Sequence, residues 1–216
     1  MRELSTGAVG EIAVLGAHCD DIAIGMGGTL LALAAAEPGL RVHALVLSGG
    51  ATARESEERV ALDAFCPGAA VHVTVLDLPD GRTPARWEQV KTALRDFRQT
   101  CDPTVVFGPH RHDAHQDHRL LAELLPTEFR DHVILGYEIL KWETDTPRPT
   151  VFHPLPEGVA EEKARLLCKH YPSQMMHDWF DEDAFLGLSR LRGVQCRSRH
   201  AEAFSAEKLS LHFGGC

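Results

Sequence analysis

The sequence predicts an α/β fold: a Rossmann-like, doubly wound, mostly parallel sheet flanked by helices, with a less regular C-terminal portion. Three observations predict it. Short apolar, β-prone runs alternate with longer helical runs over the first two-thirds of the 216 residues. The helical runs stop at Pro and Gly, and no linker, repeat or low-complexity segment interrupts the alternation. The chain therefore reads as a single domain over 1–216, with a Rossmann-like core over 1–140 and a completing segment over 141–216.

The elements follow in order. Glu11 to Gly16 (EIAVLG) reads as a buried strand, followed by a helix from about Gly25 to Ala36 that ends at Pro38 and Gly39. A second strand spans Val42 to Leu47, closed by a turn at Gly49 and Gly50. A charged helix runs from Arg54 to Phe65 and stops before Pro67 and Gly68, and Val71 to Leu76 is the third strand. Pro84 lies near the start of an amphipathic helix reaching Gln99. Val105 to Gly108 is the fourth strand, Arg119 to Leu125 lies within the next helix, and Val133 to Tyr137 is the fifth strand. Beyond it, Thr150 to His153 reads as an edge strand, Ala160 to His170 and Glu182 to Leu191 as helices, and Arg197 to Phe204 as a returning strand.

Composition narrows the function. Asp and Glu number 31 against 22 Lys and Arg, a formal charge of −9. Nucleic-acid binders draw most of their affinity from basic residues facing phosphates, so DNA and RNA are poor partners. A small neutral or cationic substrate suits the balance better. Six cysteines stand at 19, 66, 101, 168, 196 and 216, none in a C-x-x-C pair. With the polar start at Met1 to Gly10, they read as reduced thiols in a cytoplasmic protein. No apolar run approaches the ~20 residues of a membrane span. Oligomeric state is open, and a homo-oligomer is compatible with the sequence.

Two motifs carry chemistry. Ala17-His18-Cys19-Asp20-Asp21 directly follows the first strand. Ligands of open parallel sheets collect at the carboxyl ends of strands, and neighbouring residues there point in different directions. One of the paired acids can bind a metal while the other faces a substrate. The second motif, Pro109-His110-Arg111-His112-Asp113-Ala114-His115-Gln116-Asp117-His118, directly follows the fourth strand. Asp113 and Gln116 have the spacing of a capping box, with a helix opening near Ala114 and bringing His115 and His118 onto one face. If the first and fourth strands are neighbours at a switch point, the two motifs meet. Two His and one Asp with an open position suit a catalytic zinc site. Taken singly, paired acids also cap helices and His-rich tracts also decorate surfaces. Their joint placement at two strand ends favours the metal.

At these residues the chain resembles the PIG-L/LmbE family of zinc-dependent amino-sugar de-N-acetylases. The resemblance rests on Ala17-His18-Cys19-Asp20-Asp21 and His115-Gln116-Asp117-His118. It extends to Gly27-Gly28-Thr29, Arg54-Glu55-Ser56-Glu57, Leu78-Pro79-Asp80-Gly81, Glu162-Lys163, His170-Tyr171-Pro172-Ser173-Gln174 and Ala201-Glu202-Ala203-Phe204. It implies one Zn2+ per chain held by His18, Asp21 and His118. It further implies Asp20 as the base acting on a zinc-bound water, His115 as the imidazole serving the leaving nitrogen or the oxyanion, and Asp117 orienting His115. The implied reaction removes an acetyl group from an N-acetylglucosamine-type conjugate. Cys19 departs from the family, which usually has Pro there, and is read as a small packed residue.

Arg54, Asp80 and Arg82 are secondary candidates for substrate contact, although Arg54 opens a charged helix and Asp80-Gly81 is also a turn signal. His110 and His112 read as loop rim, and Trp87, Trp142 and Trp179 as packing residues. Alternatives are a zinc amidase acting on a non-sugar amide or thiol conjugate, a dinucleotide-binding module, and a non-catalytic zinc protein. Gly25-Met26-Gly27-Gly28 lacks the G-x-G-x-x-G spacing of a dinucleotide loop, and its neighbouring carboxylates would repel a pyrophosphate. A structural zinc site would have no use for Asp20 and His115.

Overall fold

A computed structural model describes residues 4–210. The strands are β1 (Glu11–Gly16), β2 (Arg41–Val46), β3 (Ala70–Val75), β4 (Val105–Pro109), β5 (Val133–Tyr137), β6 (Val151–Pro154) and β7 (Ala201–Ala206). The helices are α1 (Asp21–Ala36), α2 (Ala53–Phe65), α3 (Trp87–Arg98), α4 (Gln116–Glu128), α5 (Val159–His170) and α6 (Glu182–Cys196). The sheet order is β3-β2-β1-β4-β5-β7-β6, with the first five strands parallel and β7 antiparallel to both its neighbours. The expected doubly wound sheet is therefore present. β1 and β4 are hydrogen-bonded neighbours, as the meeting of the two motifs required.

β1 shows why its sequence is apolar from Ile12 to Leu15. Ile12 and Val14 point into a core formed with α1, α2, α5 and α6, while Ala13 and Leu15 point into a second core with α3 and α4. A strand buried on both faces has no polar side to alternate with. β3, at the edge, alternates exposed and half-buried residues instead.

Three expectations are corrected. The first helix starts at Asp21, four residues before Gly25, and is broken at Met26, whose φ of −147° is non-helical. The third helix starts only at Trp87, because Thr83–Arg86 around Pro84 forms a separate 3-10 turn. The last strand starts at Ala201 rather than Arg197, which instead ends α6 in a left-handed conformation. Cys19, Cys66, Cys101, Cys168 and Cys196 are all free, and Cys216 lies outside the described residues. Among the described residues no helix is long and apolar enough to cross a membrane.

The break in α1 has a chemical cause. In an unbroken helix Gly28 N would donate to Ile24 O. Here Gly28 N donates to Glu202 Oε1 (2.8 Å), Thr29 N donates to Glu202 Oε2 (2.6 Å), and Ile24 O accepts from Lys163 Nζ (2.6 Å). Lys163 and Glu202, 2.6 Å apart and both buried, thus insert an ion pair into the helical ladder and satisfy the groups it frees. The pair draws α5 and β7 onto α1. Removing one partner of such a pair strands the other charge, so Lys163→Met should lower stability by about 3–5 kcal/mol. Chemical denaturation read by circular dichroism measures it.

Candidate active site

The site forms at the carboxyl ends of β1 and β4. Asp21, the first residue of α1, turns its carboxylate back on the loop that precedes it: Oδ2 accepts from Ala17 N (2.9 Å) and His18 N (2.8 Å). This tight return drives Asp20 into the left-handed region at φ 103°. A non-glycine residue is strained there, and its neighbours must hold it in place. Three groups do so. Asp20 N donates to Glu58 Oε2 (2.8 Å), Arg54 Nη2 pairs with Asp20 Oδ2 (3.0 Å), and the same nitrogen donates to Cys19 O. Tyr171 OH donates to Glu58 Oε2 at 2.8 Å from the far side. Glu58 is fully buried; desolvation pushes its pKa up to about 8, against the pull of Tyr171 and the Asp20 amide.

The second motif supplies the opposing wall. His115 is the N-cap of α4, its Nδ1 accepting from Asp117 N (3.2 Å), and His118 lies one turn on, almost fully buried. The expected capping box does not form. Asp113 Oδ1 accepts from His115 N (2.7 Å) and Gln116 Nε2 donates to Gly81 O (3.1 Å), because the Asp113 carboxylate is committed elsewhere. Its Oδ1 lies 3.0 Å from His118 Nδ1, close though off the hydrogen-bonding direction. Its Oδ2 lies 3.0 Å from Lys141 Nζ. Asp117 is also placed differently from expectation. Its carboxylate accepts from Gly81 N (2.8 Å) and Thr83 N (3.2 Å) and meets His18 Nε2 (3.2 Å), not the ring of His115.

At the junction, His18 Nδ1, Asp21 Oδ2 and His118 Nε2 form a triangle with edges of 3.0, 3.1 and 3.5 Å. Ligands about 2.0–2.1 Å from one tetrahedral ion stand roughly 3.3 Å apart, so these donors fit a single small cation. His18, His115 and His118 also bring ring nitrogens within 4.8 Å of one another. Electrostatics agree. Burial opposes a charged imidazole at His18, yet Asp21, Asp117 and Asp80 override it and push its pKa up to about 12. His118, equally opposed by burial, is raised to about 9 by Asp21 and Asp113. A place that binds protons so strongly is one that attracts cations. Asp20, raised by burial and Asp21 but held down by Arg54, has a pKa of about 6.

These residues line a cavity of about 630 Å³ that also includes Arg54, Asp80, Trp142 and Trp179. Asp80 contacts His18 Nε2 at 3.0 Å. Arg54 is bound to Asp20, Glu57 and Ser173. Arg82 is exposed and outside the lining, since it caps the 3-10 turn. Trp142 is 64% exposed and Trp179 stacks on His177, so both belong to the cavity rather than to packing alone. His110 is buried rather than part of a rim, its backbone N–H donating to Tyr137 O (2.9 Å). A second cluster, His110, Asp113 and Asp145, could accept a cation by spacing, but Lys141 Nζ already sits 2.7 Å from Asp145 and 3.0 Å from Asp113. Asp113, Glu58 and Lys141 are the site residues that the sequence reading missed. Only Asp113, five residues before His118 in the His-rich tract, carried a local signal.

Comparison with known proteins bears on the chemistry. The model of the PIG-L family, described as GlcNAc-PI de-N-acetylase, matches residues 13–127. An uncharacterized deacetylase, YaiS of Escherichia coli K12, is 30% identical over 172 residues, covering 74% of this chain and 89% of its own. The N,N'-diacetylchitobiose deacetylase of Pyrococcus horikoshii superposes with a TM-score of 0.67 at 19% identity, covering 92% of this chain and 84% of its own. GalB, the 4-carboxy-2-hydroxymuconate hydratase of Pseudomonas putida KT2440, superposes with a TM-score of 0.69 at 17% identity over 95% and 99% of the two chains. At such identities these two structures speak for the fold alone. The family match spans both motifs and more than half of the chain, and this protein belongs to the PIG-L family of de-N-acetylases.

Proposed function

We propose that this protein is a zinc-dependent hydrolase that removes an N-acetyl group from an N-acetylglucosamine-type amino-sugar conjugate. The observation that carries the reading is the triangle of His18, Asp21 and His118, with Asp20 and His115 left over beside it. One Zn2+ held by those three residues would, when bound, polarise the scissile carbonyl and lower the pKa of a water to about 7. The remaining work falls to the chain's own side chains.

Asp20 is the base. It lines the cavity, and its single close cation, Arg54, keeps its carboxylate from being wholly neutralised by burial. It accepts a proton from the attacking water and returns it as the amide collapses. His115 has Nδ1 occupied by the Asp117 amide, which leaves Nε2 to serve the leaving nitrogen or the oxyanion. Asp117 and Asp80 hold His18 from behind, and Asp113 does the same for His118. Arg54 is assigned to positioning Asp20, its guanidinium being taken up by Asp20, Glu57, Ser173 and the Cys19 carbonyl. The acidic composition and free thiols support a cytoplasmic setting.

Three outcomes test this. Purified protein should contain about one zinc per chain, and His18→Ala or His118→Ala should abolish it; stoichiometric metal in both variants, measured by mass spectrometry, would sink the ligand assignment. Asp20→Asn and His115→Ala should keep the metal while lowering kcat by about 10²–10⁴-fold, read as acetate and new amine released from N-acetylglucosamine conjugates. A hydration reaction of the GalB kind would release neither product. Asp113→Asn should weaken zinc affinity by about 10–100-fold in a competition titration against a chelator, as loss of a carboxylate behind a ligating His does.

A further inference from the structure

The charges of the cavity select for the substrate beyond its acetamide, an inference that rests on the deacetylase reading. Five acids line the cavity, Asp20, Asp21, Asp77, Asp80 and Glu143, against two permanently charged bases, Arg54 and Lys141, and four histidines, of which His18 and His118 are taken up by the metal triangle. Neither base is available to a ligand. Arg54 is held by Asp20 (3.0 Å), Glu57 (3.3 Å) and the Ser173 hydroxyl (2.7 Å). Lys141 is held between Asp113 (3.0 Å) and Asp145 (2.7 Å), neither of which lines the cavity. Each base is thus neutralised by its own carboxylates.

The acids are not all neutralised in return. Asp20 pairs with Arg54. A divalent ion on His18, Asp21 and His118 would offset Asp21 and Asp80, the latter already resting on His18 Nε2. Asp77 and Glu143 remain, both exposed and without an ion-pair partner among the described residues. Glu143 directly follows Trp142, whose large exposed ring lines the same cavity. An exposed tryptophan offers an apolar face to a sugar or aryl ring, and also attracts cations through its π-electrons.

We infer that this enzyme acts on N-acetylglucosamine conjugates whose remaining part is neutral or cationic, and that it discriminates against phosphorylated or otherwise anionic ones. Selection works by repulsion as much as by attraction. A phosphate would enter a cavity that has no uncommitted guanidinium or ammonium to receive it. A protonated amine would find unpaired carboxylates, Asp77 and Glu143, and the ring of Trp142 among the lining of the cavity.

The test uses the zinc-loaded full chain and three aryl N-acetyl-β-glucosaminides of matched shape, carrying a para aminomethyl, methyl or sulfonate group. Deacetylation is followed by acetate release, and binding by calorimetry on the Asp20→Asn variant. The expected order of kcat/KM and of affinity is aminomethyl, then methyl, then sulfonate. The extremes should differ roughly tenfold or more at low salt, and the gap should shrink in 0.5 M NaCl, a concentration chosen to cut the Debye length to roughly 4 Å. The double variant Asp77→Asn/Glu143→Gln, two exposed substitutions, should narrow the gap further. Equal rates for the three probes, a preference for the sulfonate, or a gap unmoved in the double variant overturns the inference while leaving deacetylation intact. Charge-ordered binding without acetate release supports the charge selection and overturns the deacetylase reading. Neither binding nor turnover overturns both.

Discussion

The carboxylate of Asp21 is the constraint from which the site follows. One oxygen accepts two backbone amides of the loop before it and also faces two imidazoles, His18 in that same loop and His118 across the crevice. The first pair of bonds bends the chain back sharply after β1. The contact with His118 brings the motif after β4 to within 3.1 Å of the first. The strain at Asp20 is a product of that bend, and Glu58, Arg54 and Tyr171 are arranged to resist it. Substituting Asp21 would therefore disturb the backbone as well as the cation-binding triangle.

Much of this was legible because it is local. Buried parallel strands must be apolar on both faces, and Ile12-Ala13-Val14-Leu15 declares it. Strand-end loops carrying acids and imidazoles declare a site, and the adjacency of β1 and β4 follows from the winding of the sheet. The scattered segments that supported the family resemblance turn out to be mated pairs. Gly28 and Thr29 meet Glu202, which in turn holds Lys163, while Arg54 and Glu57 meet Ser173. Each pair joins elements distant in sequence, so each segment looks unremarkable alone.

What escaped was set by tertiary contact. Nothing in the spacing of Asp113 shows that its carboxylate will be drawn to His118 and Lys141 and so forgo the cap that its sequence invites. Read from sequence, the first helix starts at about Gly25 and runs past Met26 without a stop, because the break there is imposed by an ion pair from residues 163 and 202. Trp142 looks like a core residue by composition and is exposed, beside a Lys141 that is pinned to Asp113 and Asp145.

The residue at 19 couples two positions that would otherwise vary independently. The Cys19 thiol, buried and with its pKa pushed up by desolvation and Glu58, rests against the Ser48 carbonyl at 3.5 Å. A Cβ built on Gly49 would come within 2.6 Å of that sulfur, and Gly49 has a φ of +100°. Changes at 19 and 49 are consequently not additive: relief of the clash through a smaller residue at 19 would still leave the backbone penalty at 49. A chain diverging from this one is free to exchange the thiol only for side chains that keep clear of the glycine, which narrows the mutational routes open to the first motif.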